Sequence, residues 1–329
     1  MTNAPSNLPP RKIVEAFFGG HPVVISPLYG GLTNVTYLVV RPTARFILQR
    51  ISPAFSPEAW RDLETVLHHL AREGWEVQQL LHTQADRPYI QDEQGIWWRS
   101  FTYIDADSAS DSILSKEVLR KTGSLLSKLH TSLAKLDYEP TATIPHFHET
   151  AYFLQKLEKC SSQLPTKELR TLAKDIIIAY KSLGQLPVTI PQLIHGDPRT
   201  NNMLFRKGLP FTYIDFEALM RGSVWIDIGD LLRSINGNEE QTEAQFSLDR
   251  TRQIIKGYHE TTHTAASFAT FLSQSLLAMQ HICLELAMRF MVDIVEDTYF
   301  GWDSNHYENR AAHNLARARA QWKIYQQSK

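Results

Sequence analysis

PQLIHGDPRTNNMLFRKGLPFTYIDFEALMRGSVWIDIGDLLR, residues 191–233, sets three polar features between apolar runs. His195-Gly196-Asp197 comes first, and Asn202 stands at the fifth place after the Asp. Tyr213-Ile214-Asp215-Phe216-Glu217 follows, an apolar run that delivers an acid. Ile226-Asp227-Ile228-Gly229-Asp230 then opens a helical pattern. This array suits phosphoryl transfer, which asks little covalent help of a protein. It asks for one carboxylate to orient the attacking hydroxyl and take its proton, and for hard oxygen ligands to a cation on the phosphates. Asp197 fits the base. Asn202 and Asp215 fit the metal ligands, the first on the same tight loop, the second at the end of the next apolar strand. An H-G-D tripeptide alone is also an ordinary turn, because Asp and Asn favour turns. The flanking strands Leu193-Ile194 and Met203-Leu204-Phe205, with the later D-F-E, favour the site.

H-G-D-x-x-x-x-N followed by I-D-F-E resembles the aminoglycoside phosphotransferase and choline kinase group. The resemblance implies an α+β, bilobal, protein-kinase-like fold with a small β-rich N-terminal lobe and a large, mainly helical C-terminal lobe. It implies ATP and Mg²⁺, with Asp197 catalytic, Asn202 and Asp215 on the metal, and His195 and Asp227 supporting the loop. The lobe boundary is expected in the acidic, small-residue stretch from Asp105, giving an ATP-binding lobe over 1–105 and a catalytic and acceptor-binding lobe over 106–329.

Composition narrows the field. The 329 residues allow one or two domains with ample core. Charge is balanced, 34 basic against 35 acidic residues, without a basic run, so neither a nucleic acid nor a membrane surface is expected as partner. Two cysteines, Cys160 and Cys283, make no disulfide framework and no zinc spacing, which fits a reducing cytoplasm. The opening MTNAPSNLPP is polar and Pro-rich and lacks the apolar core of a signal peptide. The apolar region Phe268 to Val295 carries Gln280, His281, Glu285, Arg289 and Asp293, which argues for a buried helix over a membrane span.

Along the chain, Ile13, Val14, Phe17 and Phe18 have helical spacing. Val23 to Ile25 and Val35 to Val40 read as strands around Tyr29-Gly30-Gly31-Leu32-Thr33-Asn34, an ordinary hairpin on its own. In the kinase reading Gly30, Gly31 and Asn34 form a lid over ATP phosphates, where missing side chains permit close backbone approach. The third strand, Arg45 to Ile51, has Gln49 and Arg50 where kinase-like enzymes place a phosphate-binding cation. The two point to opposite faces, and Arg50 is preferred for its permanent charge. Residues 57–72 read as a helix, from which Glu64 is either a solvated face residue or the partner of the strand cation. Residues 115–134 read as a helix with Ser115 as N-cap, ending L-x-x-L-H. H-x-H at His146 and His148 lacks a third metal ligand and reads as a turn. His281, Glu285 and Arg289 recur every four residues, either facing solvent or lining an acceptor pocket.

A narrower resemblance joins F-I-L-Q-R-I (46–51), I-P-H-F-H-E-T (144–150), I-D-I-G-D-L-L-R (226–233) and the C-terminal pieces Arg289-Phe290-Met291-Val292-Asp293, Asp297-Thr298-Tyr299-Phe300 and His313-Asn314-Leu315 with Arg317, Arg319 and Gln321. In this order they are similar to N-acetylhexosamine 1-kinases. That branch implies a small-molecule acceptor, a hexosamine phosphorylated on its anomeric hydroxyl, with Asp230, Arg233 and Arg289 as candidates on the sugar side. The alternatives are the same chemistry on an aminoglycoside, choline or homoserine, or a catalytically inactive nucleotide-binding protein. Oligomeric state is left open by the sequence.

Overall fold

The computed structural model describes residues 8–20, 23–28, 34–51, 59–107, 115–237, 244–262 and 264–329. The chain divides into two compact units, Met1–Asp105 with Gly301–Tyr307, and Ala106–Phe300 with Glu308–Lys329.

The first unit holds α1 (Arg11–Phe18), β1 (Val24–Leu28), β2 (Val35–Arg41), β3 (Ala44–Arg50), α2 (Ala59–Arg72), β4 (Leu80–Leu81), β5 (Ile90–Gln91) and β6 (Trp97–Thr102). Its sheet is antiparallel in the order β1-β2-β3-β6-β4, with β5 also on β6. Side chains alternate across the strands, and each face takes its own helix. Ile13, Val14, Phe17 and Phe18 of α1 pack with Tyr37, Val39, Leu48 and Trp98. On the opposite face the buried Trp60 of α2 meets Trp97, ring centroids 5.4 Å apart, and Tyr89 at 3.9 Å. β4 and β5 are only residue pairs. Between them Thr83 and Arg87 close a turn through Thr83 N–H to Arg87 O, 2.8 Å, with Asp86 at φ 55°.

The second unit runs α3 (Lys116–Leu133), α4 (Thr150–Cys160), α5 (Lys167–Lys181), β7 (Gln192–Ile194), β8 (Met203–Arg206), β9 (Leu209–Tyr213), β10 (Met220–Gly222), α6 (Val224–Asn236), α7 (Leu248–Thr262), α8 (Phe268–Glu296) and α9 (Arg310–Gln327). Strand pairs β7–β10 and β8–β9 are both antiparallel. Helix starts are set by side-chain caps, which satisfy N–H groups the helix itself leaves unpaired. Ser115 caps α3 as expected, and Thr166, Ser223, Ser267 and Asn309 cap α5, α6, α8 and α9. Both cysteines are free thiols.

α8 is long and apolar enough to cross a membrane by length and composition, yet 78% of that stretch is buried inside the protein. Of its polar stripe, His281 is half-buried and Glu285 and Arg289 are buried.

α3 and α7 lie against each other through Gly123 and Gly257. A Cβ on Gly123 would sit 1.8 Å from Ile254 O, and one on Gly257 1.9 Å from Arg120 O. Backbone cannot yield as a flexible side chain would, so the helices must separate. Gly123→Ala and Gly257→Ala are each expected to cost ~1–3 kcal/mol or more, read as a lowered thermal unfolding midpoint. An unchanged midpoint would show that the two helices part freely.

Candidate active site

β7 delivers His195, Gly196 and Asp197 into a loop that only glycine can turn. Gly196 has φ +81°, and a Cβ there would stand 2.2 Å from Ala218 O. The loop is held from beneath by Asp227, fully buried in the first turn of α6. Its Oδ2 accepts from His195 N–H at 2.9 Å and its Oδ1 from Gly196 N–H at 2.9 Å. His130, at the end of α3, donates to Asp227 Oδ2 through Nε2 at 3.0 Å, while its Nδ1 meets Tyr258 OH of α7 at 2.7 Å. Burial alone would raise the Asp227 carboxyl. The hydrogen bond and charge of His130, with the Gly196 amide, hold it below the ordinary carboxylate value.

His195 ties this loop to the next. Its Nε2 donates to Ile214 O at 3.0 Å, and its Nδ1 accepts from Asp197 N–H at 3.3 Å. One nitrogen donates and the other accepts, so the ring is neutral. Burial pushes its pKa down accordingly, against the opposing charge of Asp227.

Asn202 joins the same assembly through the turn Thr200–Asn202. Its Nδ2 donates to Asp197 O at 2.9 Å and to Asp197 Oδ2 at 3.1 Å, and its own carbonyl accepts from Ile214 N–H at 2.9 Å. Asp215 follows immediately, in left-handed backbone with φ 66° and ψ 56°, a conformation that costs energy outside glycine and clusters at functional sites. Its exposed carboxylate takes no hydrogen bond from any described residue. The tertiary structure thus draws Asp197, Asn202 and Asp215 onto two loops stitched by His195 and Asn202. Asn202 spends its N–H group on Asp197 and keeps its amide oxygen, which with the Asp215 carboxylate makes a hard-oxygen donor set fit for Mg²⁺. Arg199 was not singled out in the sequence, and its Nε lies 3.1 Å from Asp197 Oδ2. Nothing marked it beyond its place inside the H-G-D-to-Asn interval.

In the first unit, Gly30 and Gly31 lie outside the described residues, and Asn34 sits at the bend before β2. Gln49 and Arg50 do point to opposite faces. Arg50 opposes Val35 and Trp98, on the α1 face, and its charge is felt by Tyr37 and Asp92. Gln49 opposes Thr36 and Arg99, on the α2 face with Trp97. Gln49 Oε1 accepts from Arg99 Nε at 2.9 Å and Nη2 at 2.8 Å. The cation on the α2 face is therefore Arg99, buried on β6 at 3% exposure. Glu64 does not pair with the strand cation. Its Oε1 meets His82 Nε2 at 2.9 Å, and the bonds from Asp86 and Glu64 raise the His82 pKa against its partial burial.

The three sugar-side candidates are all buried. Asp230 and Arg233 are 3% and 2% exposed and pair with each other one helical turn apart, Arg233 Nη2 to Asp230 Oδ1 at 2.6 Å. Both lie inside the packed helical unit. Arg289, 5% exposed, is ringed by Phe147, Phe153, Tyr299 and Phe300 at 5.0–5.6 Å and donates to Tyr299 OH at 3.2 Å. Asp293 makes the C-terminal pieces into one body. It accepts the N–H groups of Thr298, Tyr299 and Phe300 at 2.8–3.1 Å and Asn314 Nδ2 at 2.8 Å, and Arg317 donates to Asn314 Oδ1.

An antiparallel sheet unit, a mainly helical unit and these two acid-bearing loops define a protein-kinase-like fold. Residues 24–261 match the model of the phosphotransferase enzyme family, and the chain belongs to that family. Similar solved structures include amicoumacin kinase hAmiN in complex with AMP-PNP, Ca²⁺ and Ami, with TM-score 0.64, 12% identity and coverage of 92% of this chain and 88% of that one. A choline kinase from Cryptosporidium parvum Iowa II gives 0.62 at 13% identity, covering 92% and 89%. An aminoglycoside phosphotransferase from Alicyclobacillus acidocaldarius gives 0.59 at 13% identity, covering 98% and 96%. At such identities the likeness speaks for the fold alone.

Proposed function

We propose that this phosphotransferase moves the γ-phosphoryl group of ATP to a sugar hydroxyl, the anomeric hydroxyl of an N-acetylhexosamine or related hexose. The observation that carries the chemistry is the joint placement of Asp197, Asn202 and Asp215 on the two loops stitched by His195. Asp197 accepts a hydrogen bond from the acceptor hydroxyl and takes its proton. The acceptor oxygen bonds to the γ-phosphorus as the bond from that phosphorus to the β-bridging oxygen breaks, releasing ADP. Asn202 and Asp215 would hold Mg²⁺, which supplies charge neutralisation on the phosphates. Within the first unit Arg50 on the α1 face and Arg99, steadied by Gln49 on the α2 face, are the candidate cations for a phosphate contact. The sugar assignment rests on the likeness of the C-terminal pieces to the sugar 1-kinases, and their convergence on Asp293 supports reading them as one element. The free thiols fit a reducing cytoplasm.

The test is ATP consumption by the purified chain with Mg²⁺ against N-acetylglucosamine, N-acetylgalactosamine, free hexoses, kanamycin, choline and homoserine. The expected hit is a reducing sugar whose product no longer reduces. Turnover on an amine or alcohol alone moves the acceptor and keeps the chemistry. ATP binding without turnover on any acceptor would sink the enzymatic reading in favour of an inactive nucleotide-binding protein.

A further inference from the structure

Ile144 to Thr150 carries its two histidines on left-handed backbone, His146 at φ 58° and His148 at φ 57°. His146 stays outside, stacked on Tyr152 and paired with Glu149. His148 turns inward until its side chain is 3% exposed. Its Nε2 lies 2.8 Å from Gly196 O, the carbonyl immediately before Asp197. Its Nδ1 lies 3.0 Å from Glu285 Oε1 of α8, itself 1% exposed. The carboxylate sits off the axis of the N–H bond, so this second contact is an ion pair more than a directed hydrogen bond.

A carbonyl and a carboxylate are both acceptors. A neutral imidazole has one N–H and one lone pair, so either tautomer would set a lone pair against an oxygen in a buried site. Only the imidazolium satisfies both. The surrounding charges agree. Glu285 also accepts from Thr150 Oγ1 at 2.5 Å and has Arg289 Nη1 at 3.8 Å. Tyr180 of α5 and His281 of α8 face the same carboxylate. Burial would lower the His148 pKa, but the charge of Glu285 raises it above the ordinary value in spite of Arg289.

The Gly196–Asp197 peptide is thereby gripped at both ends, its carbonyl by His148 and its N–H by His195 Nδ1, while Asp227 holds the preceding amide. We propose that His148, as an imidazolium paired with Glu285, is a positioning residue that fixes this peptide and through it the aim of the Asp197 carboxylate. The inference rests on Asp197 being the base. It makes turnover depend on a proton that touches neither substrate nor metal ligand. Both contacts are made while His148 is charged. As pH rises through a value above 6.5, the ordinary one, the neutral ring must give up either its pairing with Glu285 or its bond to Gly196 O, and the grip on the peptide loosens.

The experiment combines pH–rate profiles with ¹⁵N-histidine NMR on the full chain, for wild type, His148→Gln and Glu285→Gln. The wild type is expected to show an imidazolium at neutral pH, assigned by its loss in His148→Gln, and an alkaline limb in kcat. His148→Gln should lose that limb and lower kcat about tenfold, with both KM values within about twofold, since small misplacements of a catalytic group act on turnover. Glu285→Gln should move the limb to lower pH. A neutral His148 ring in the wild type at pH 7, or an alkaline limb unchanged in His148→Gln, overturns the inference. Should His148→Gln not fold, a histidine titration unmoved by Glu285→Gln overturns it equally. Inactivity of the wild type on every acceptor would sink the proposed function instead, and the NMR signature tells the two failures apart.

Discussion

Asp197→Ala is expected to lower kcat by ~10²–10⁴-fold, the usual worth of a positioned general base. The fold should survive. The carboxylate is 24% exposed, and what it touches, Asn202 Nδ2 and Arg199 Nε, can turn to water when it is gone. The loop backbone is held independently of it, by Asp227 and His195. KM for ATP should therefore change little, and Asp197→Asn, which keeps the shape and loses the basicity, should fall nearly as far. Steady-state kinetics with circular dichroism as a fold control decide it. Undiminished turnover in Asp197→Ala would show that the base lies elsewhere.

Asp227→Ala should do the opposite kind of damage. The carboxylate is fully buried and receives two backbone N–H groups and one imidazole. Removing it orphans the amides of His195 and Gly196 and leaves His130 without its acceptor. Breaking one side of a buried charged network costs about 3–5 kcal/mol, so the variant should unfold at much lower urea or temperature and lose activity with the loop. Asp227→Asn retains an acceptor oxygen and should lose less. The pH dependence has a definite sign. The folded carboxyl is held below its ordinary 3.8, so its contribution is complete above that value and disappears as pH falls through the lower folded one. Stability of Asp227→Ala equal to wild type at neutral pH would mean that the loop is braced by other groups.

How much of this was legible varies residue by residue, and for physical reasons. The fold was readable because its signals are local. Apolar residues at helical or alternating spacing and Ser115 before a helix need only their neighbours in sequence. The spacing from Asp197 to Asn202 is local too, a single loop's reach. The face of β3 was not readable. Alternation says that Gln49 and Arg50 part, but which face receives α2 is decided when Trp60 meets Trp97, and only then does Arg99 become the cation on that side. Glu64 was left between solvent and the strand cation, because its partner His82 reaches it only in the folded chain. Asp230 and Arg233 did carry a signal, since one turn apart on a helix apolar all round, they can pair with each other. His148 carried no signal of its role, because Gly196 O and Glu285 reach it from positions far along the chain.

The sequence alone determined the phosphotransferase loops, the helix caps and the apolar faces, because those follow from spacing and side-chain chemistry within a few residues. Tertiary structure alone decided which charges are buried and with whom they pair. Burial is a property of the packed whole, and a carboxylate such as Asp227 or an imidazole such as His148 acquires its protonation state and its partner only when segments distant in sequence close around it.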